Sequence, residues 1–138
     1  MLDNFLVTME RILDADFFKA NDYIAIFEAR GKPPFEHQLA TAEEEIEVDK
    51  EINHFNDEDE ALVNAIAQKA FNLTSHHTQN DEIAGYISDD FRLIATTIRL
   101  EIEDEWVCSL LNSYIKKKIP CADMEIIDSD FEKLLASL

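Results

Sequence analysis

Apolar side chains recur every three or four residues along most of this chain, which is the spacing of one face of an α-helix. The repeat is clearest in the segment that carries Ile83, Ile87, Phe91, Ile94 and Ile98. No pair of strand-like segments joined by a short turn accompanies it. The pattern therefore predicts an all-α fold, a bundle of six or seven helices.

Polar residues indicate where the predicted helices begin. Asn56 stands directly before four acidic residues at 57–60, an arrangement typical of an N-cap followed by the first helical turn. Thr41 with Glu44 has the spacing of a capping box, so the helix that contains them is expected to restart there. Ser88 and the two acids after it predict a similar restart in the following helical segment.

The length of 138 residues suits one domain. Two Gly and three Pro are few, which favours long helices over tight turns. The apolar spacing predicts one continuous helix from Asp16, its cap, to Arg30, with Gly31 ending it. The Gly-Lys-Pro-Pro stretch that follows is the clearest break. We therefore predict a single helical domain over 1–138, with 31–34 as a candidate hinge.

Charge narrows the range of partners. The chain has thirty Asp and Glu residues and twelve Lys and Arg residues, which gives a net charge of -18. Ten of the carboxylates lie from Glu43 to Glu60. Such a field repels nucleic acid and anionic membrane and attracts cations or a basic protein. Because there is no apolar run of about 18 residues and no basic start typical of a signal peptide, we expect a cytoplasmic protein outside the membrane.

The acidic segment supports a protein-binding function. We expect a small acidic module that neutralises a basic partner such as a toxin or a nuclease, as immunity proteins do, because carboxylates offer a basic groove the charge that it holds. The alternatives are a solvated helix face and a structural or adaptor domain. The predicted partner-binding residues are Glu43, Glu44, Glu47, Glu51, Asp57, Glu58 and Glu60.

A metal enzyme is the competing hypothesis. Glu43, Glu44 and Glu47 form an E-E-x-x-E element that resembles the one in all-α nucleotide pyrophosphohydrolases of the MazG and dUTPase type. The resemblance implies Mg²⁺ held between carboxylates of two helices. Asp57 and Glu60 would complete the ligand set, although they show the second element of that family in reverse order.

Other catalytic chemistry has no signature here. No glycine-rich phosphate loop, nucleophile elbow or metal-binding Cys and His spacing is present, so outside the magnesium alternative we expect a non-catalytic protein without a cofactor. Phe18 and Tyr23 lie off the main apolar stripe. If both are exposed, they form an apolar patch suited to a partner or a homodimer. The alternative is that both pack against a second layer of helices.

Overall fold

The structure is a computed structural model that describes residues 2–137. After a single 3-10 turn over Leu2–Asn4, its helices are α1 (Phe5–Ile12), α2 (Ala15–Ala20), α3 (Tyr23–Arg30), α4 (Phe35–Ile52), α5 (Asp57–Thr78), α6 (Asp81–Arg99), α7 (Glu105–Ile115) and α8 (Phe131–Ala136). No strand occurs within this range. The all-α prediction is confirmed.

Helix α6 lies at the centre of the bundle, in contact with α3, α4, α5 and α7. It pairs most extensively with α5, to which it is joined by a short turn capped by Asn80. The Ser88 hydroxyl donates a hydrogen bond of 2.8 Å across this pair to the carbonyl of Ala67. Burial on several sides explains why the apolar repeat is densest in α6.

Aromatic contacts join the first helices to the central ones. Phe5 of α1 and Phe91 of α6 have ring centroids 6.0 Å apart. Phe17 of α2 stacks on Tyr114 of α7 at 5.9 Å, and Tyr114 in turn contacts Phe91 at 4.8 Å. The helices before Gly31 therefore pack on the same hydrophobic core as the rest. The hinge at 31–34 stays a prediction.

The expected continuous helix from Asp16 to Arg30 is two helices. Asp14, not Asp16, caps α2, since its carboxylate accepts a hydrogen bond from the Phe17 amide. The chain then leaves the helix at Asn21, whose side-chain amide donates to the carbonyls of Phe17 and Lys117. The bond to Phe17 is local, whereas the bond to Lys117 is tertiary and fixes the chain where it leaves the helix. The segment therefore splits, and the bundle has eight α-helices within the described residues.

Other boundary predictions had mixed outcomes. Asn56 caps α5 as expected, and Gly31 follows the last residue of α3. The predicted restarts at Thr41 and Ser88 are wrong, because α4 and α6 run through both positions. Thr41 donates its hydroxyl to the carbonyl of His37 one turn earlier, and so it does not cap.

Phe18 and Tyr23 follow the packed alternative, and they do not form an exposed apolar patch. Phe18 is buried, with its ring stacked on His77 at 5.4 Å, and Tyr23 is half-buried against the core. A homodimer stays a prediction without this support. None of the described helices is both long enough and apolar enough to cross a membrane.

Candidate functional site

The predicted binding residues form a surface on two consecutive helices, which we call the acidic surface. Its α4 part is Glu43, Glu44, Glu47 and Glu51, and its α5 part is the first turn with Asp57, Glu58 and Glu60. All are exposed except Glu60, which is half-buried. The apolar side of α4 faces the core through Phe35, Ala42 and Ile46, so the glutamates lie on its flank and outer side.

A capping box fixes the N-terminus of α5. The Asn56 side chain accepts a hydrogen bond of 2.9 Å from the Asp59 amide, and the Asp59 carboxylate accepts one of 3.0 Å from the Asn56 amide. Arg99 of α6 contacts Asp59 at 2.6 Å. The Asn56 amide and then Arg99 lower the pKa of Asp59. The first turn of α5 is therefore held in place while Asp57 and Glu58 face outward.

Lys50 joins the two helices of the acidic surface. Its ammonium lies 3.4 Å from Glu47 and 3.1 Å from Glu60, and 5.0 Å from the centre of the Phe55 ring. A single cation thus offsets part of the repulsion between the C-terminal end of α4 and the start of α5.

Most of the surface remains unneutralised. Within residues 2–137, Glu43, Glu44, Glu51, Asp57 and Glu58 form no ion pair. Glutamates four residues apart on α4, such as Glu43 and Glu47, repel each other, and each such pair costs a few tenths of a kcal/mol of stability. The surface therefore favours any external cation that can approach it.

A hollow of about 250 Å³ separates α4 from α6. Glu43, Glu47 and Lys50 of α4 line one side, and Asp89, Arg92 and Leu93 of α6 line the other. We call this the acidic hollow. Although Glu43 is exposed, desolvation by the protein around it, followed by the charges of Asp89 and the buried Asp90, raises its pKa. Burial and then Asp90 likewise raise the pKa of Asp89, so the hollow opposes its own negative charge.

Beneath the hollow lies a buried ion pair that the sequence did not reveal. Arg30 donates from both terminal nitrogens to the two carboxylate oxygens of Asp90, each at 2.7 Å. The Tyr114 hydroxyl donates to the same carboxylate at 2.5 Å. The guanidinium also lies between the rings of Phe27 and Phe35, 4.8 Å from each centroid. These contacts fix α3, α6 and α7 relative to one another.

Electrostatics in this group are strongly coupled. Burial alone would lower the pKa of Arg30, but the charge and hydrogen bonds of Asp90 outweigh it and raise the pKa. Burial, and then the Asp90 charge, raises the pKa of the Tyr114 hydroxyl well above 10.0. The sequence holds a signal for Asp90 but not for its partner, since Asp90 falls on the apolar stripe between Ile87 and Ile94, where a buried acid needs a partner.

The geometry does not gather the five carboxylates of the magnesium hypothesis. Among the side chains that the structure describes, no group of three or more from His, Cys, Asp or Glu is placed to hold a metal ion. Glu47 and Glu60 approach each other, but the Lys50 ammonium stands between them. Glu43 shares the lining of the acidic hollow with Glu47, but Lys50 and Arg92 line it too, and Glu44 and Asp57 lie outside it.

The sequence pattern of the family described as Immunity protein PIM1 matches residues 4–121. The chain belongs to this family. The match runs from the start of α1 to the loop after α7, so it contains the acidic surface, Arg30, Asp90 and Tyr114. No curated protein matches the chain. The prediction of an immunity-protein-like module is confirmed.

Proposed function

We propose that this PIM1-family protein binds a basic protein toxin through the acidic surface and neutralises it. The observation that carries the proposal is the set of five exposed carboxylates without an ion pair on α4 and the first turn of α5. They are supported by a capping box and by helices packed on one core, so they present a fixed pattern of charge. Such a pattern speeds the encounter with a basic surface and selects among partners.

A further observation supports the proposal. Like charges on the surface repel one another, and a cationic partner would relieve that repulsion on binding. We further propose that the protein acts in the cytoplasm, where thiols such as those of Cys108 and Cys121 stay reduced.

The test begins with co-expression of the chain and a panel of toxin domains, to find one whose toxicity the wild-type chain suppresses. Association with that purified toxin is then measured at several salt concentrations. Replacing Glu44, Glu51 and Glu58 together by Gln should slow association about tenfold at low salt and flatten its salt dependence.

The matched control removes the same charge from another part of the molecule. Glu101, Glu103 and Glu132 are exposed and lie around the α6–α7 loop and the start of α8. Their replacement by Gln should change the association rate by less than about twofold. Equal slowing by the two triple variants would show that overall charge matters and the acidic surface does not, which would refute the proposal.

A further inference from the structure

An apolar hollow lies between α3 and the N-terminal half of α6. It encloses about 310 Å³ and includes Ile24, Phe27 and Tyr86. The rings of Phe27 and Tyr86 stack with centroids 5.4 Å apart and planes within 17° of parallel. Ile24 is 60% exposed and Tyr86 46% exposed, so large apolar side chains meet water here. We call these residues the apolar hollow.

Carboxylates border this hollow. Glu28 of α3 and Glu82 of α6 line it, and no Lys or Arg of the described chain does so. Neither glutamate forms an ion pair within residues 2–137. An apolar centre bordered by unpaired acids matches a partner side chain that is apolar and flanked by cations.

The apolar hollow adjoins the acidic hollow. Tyr86 and Asp89 are three residues apart on α6, and Leu93 follows four residues later, so all three lie along one side of that helix. Helix α3 borders the first hollow and α4 the second. The apolar hollow is therefore continuous with the surface proposed to bind the toxin.

A second copy of the chain is a poor occupant. A symmetric contact would place Glu28 and Glu82 of both copies close together, on molecules of net charge -18. Like charges directly opposed across an interface cost several kcal/mol. Charge complementarity favours the basic partner over self-association.

We propose that the basic toxin inserts an apolar side chain, flanked by Lys or Arg, into the hollow of Ile24, Phe27 and Tyr86. This inference rests on the proposed function and adds an anchor to it. Binding energy in protein interfaces concentrates in a few well-packed apolar contacts enclosed by a polar border. The carboxylates therefore govern how fast the complex forms, and the apolar hollow governs how slowly it dissociates.

The test uses the toxin domain against which the wild-type chain protects growth, with the full chain immobilised for kinetic measurement. Tyr86→Ser and, separately, Ile24→Ser should each speed dissociation about tenfold, equivalent to about 1.4 kcal/mol. Association should change by less than about twofold, because no charge is altered. Ile126→Ser is the matched control, since Ile126 is 52% exposed and lies outside both hollows.

Loss of folding is separated from loss of binding by thermal melts of each variant. Ile24→Ser keeps the test decisive if Tyr86→Ser unfolds, because Ile24 is the more exposed of the two. Cytochrome c, a basic protein without toxic activity, serves as the probe for binding by charge alone. Neither substitution should alter its weak, salt-sensitive association with the chain.

The outcomes separate the two proposals. Tight, salt-sensitive binding of the toxin with unchanged dissociation from both variants would overturn the anchor and leave the proposed function standing. If no basic toxin is bound or neutralised, the proposed function itself fails. A dimer of the free chain in sedimentation, lost on Tyr86→Ser, would overturn the assignment of this hollow to a toxin.

Discussion

Arg30 and Asp90 lie sixty residues apart in the sequence, yet their side chains form a two-pronged ion pair in which both nitrogen–oxygen distances are 2.7 Å. The side chains are 5% and 1% exposed, so water does not screen the pair. Tyr114 completes the set of donors to the carboxylate. One buried carboxylate thus links α3, α6 and α7.

Removal of the Asp90 charge should destabilise the protein severely. Asp90→Asn leaves the Arg30 guanidinium buried without a counter-charge, and we expect the free energy of unfolding to fall by about 3–5 kcal/mol. Urea denaturation followed by circular dichroism measures the loss. The control is Lys69→Ala, which breaks the half-exposed pair with Glu10 at 2.8 Å and should cost less than about 1 kcal/mol. Comparable losses in the two variants would contradict the structural role of Asp90.

The raised pKa values of Glu43 and Asp89 predict a pH-dependent gain from neutralising either residue. A carboxyl whose pKa is higher in the folded state destabilises that state above the raised pKa, and the cost disappears below the ordinary values of 4.5 and 3.8. Glu43→Gln and Asp89→Asn should therefore raise Tm at pH 7 by roughly 1–3 °C.

The gain should vanish at about pH 3, below both ordinary values, because the wild-type carboxyls are then protonated in folded and unfolded chains alike. Glu44→Gln is the control for general charge, since Glu44 is exposed and lies outside the acidic hollow. Melts at both pH values test the prediction, which fails if the three variants gain equally at pH 7.

Substitution of Lys50 should move stability and binding in opposite directions. Lys50→Gln removes the cation that bridges Glu47 and Glu60, so the free energy of unfolding should fall by less than about 1 kcal/mol. The acidic surface becomes more negative, and association with the toxin should quicken. Lys19→Gln, an equal change of charge on α2, should leave both quantities nearly unchanged. A slower association of Lys50→Gln would count against steering by this surface.

Lys117 should contribute more to the stability of the fold than the adjacent Lys118. Its ammonium donates hydrogen bonds to the carbonyls of Arg11 and Ile12 at the end of α1, and lies 3.1 Å from the Asp14 carboxylate. With allowance for its partial exposure, Lys117→Met should cost about 1 kcal/mol. Lys118→Met is the matched control, because Lys118 is exposed and forms no ion pair with any side chain that the structure describes. Chemical denaturation of the two variants measures the difference. Equal losses in the free energy of unfolding would contradict the role of Lys117 in holding the end of α1.

Local features of the sequence were predictable because their causes are local. Asn56 caps α5 with partners three residues away, and Gly31 ends α3 at a break that the composition already marks. The helix split at Asn21 was not predictable in this way, since the Asn21 side chain binds the Lys117 carbonyl across ninety-six residues. Thr41 and Ser88 showed capping patterns that tertiary packing overrode.

The acidic surface was predictable from charge counting alone, because exposed carboxylates need no special partners to reach the surface. Its placement on α4 and α5 followed from the helix periodicity. The buried pair of Arg30 and Asp90 and the apolar hollow were not foreseen. Both depend on how α3 meets α6, and no local pattern encodes the contact between two helices that α4 and α5 separate in the sequence.

Arg30, at the end of α3, also helps to fix the shape of the apolar hollow. The same helix supplies Ile24 and Phe27 to the apolar hollow, and the bond from Arg30 to Asp90 sets how far α3 stands from α6. The hollow is therefore preorganised before any partner arrives. A preorganised site loses less conformational entropy on binding, so a larger part of the contact energy contributes to the binding affinity.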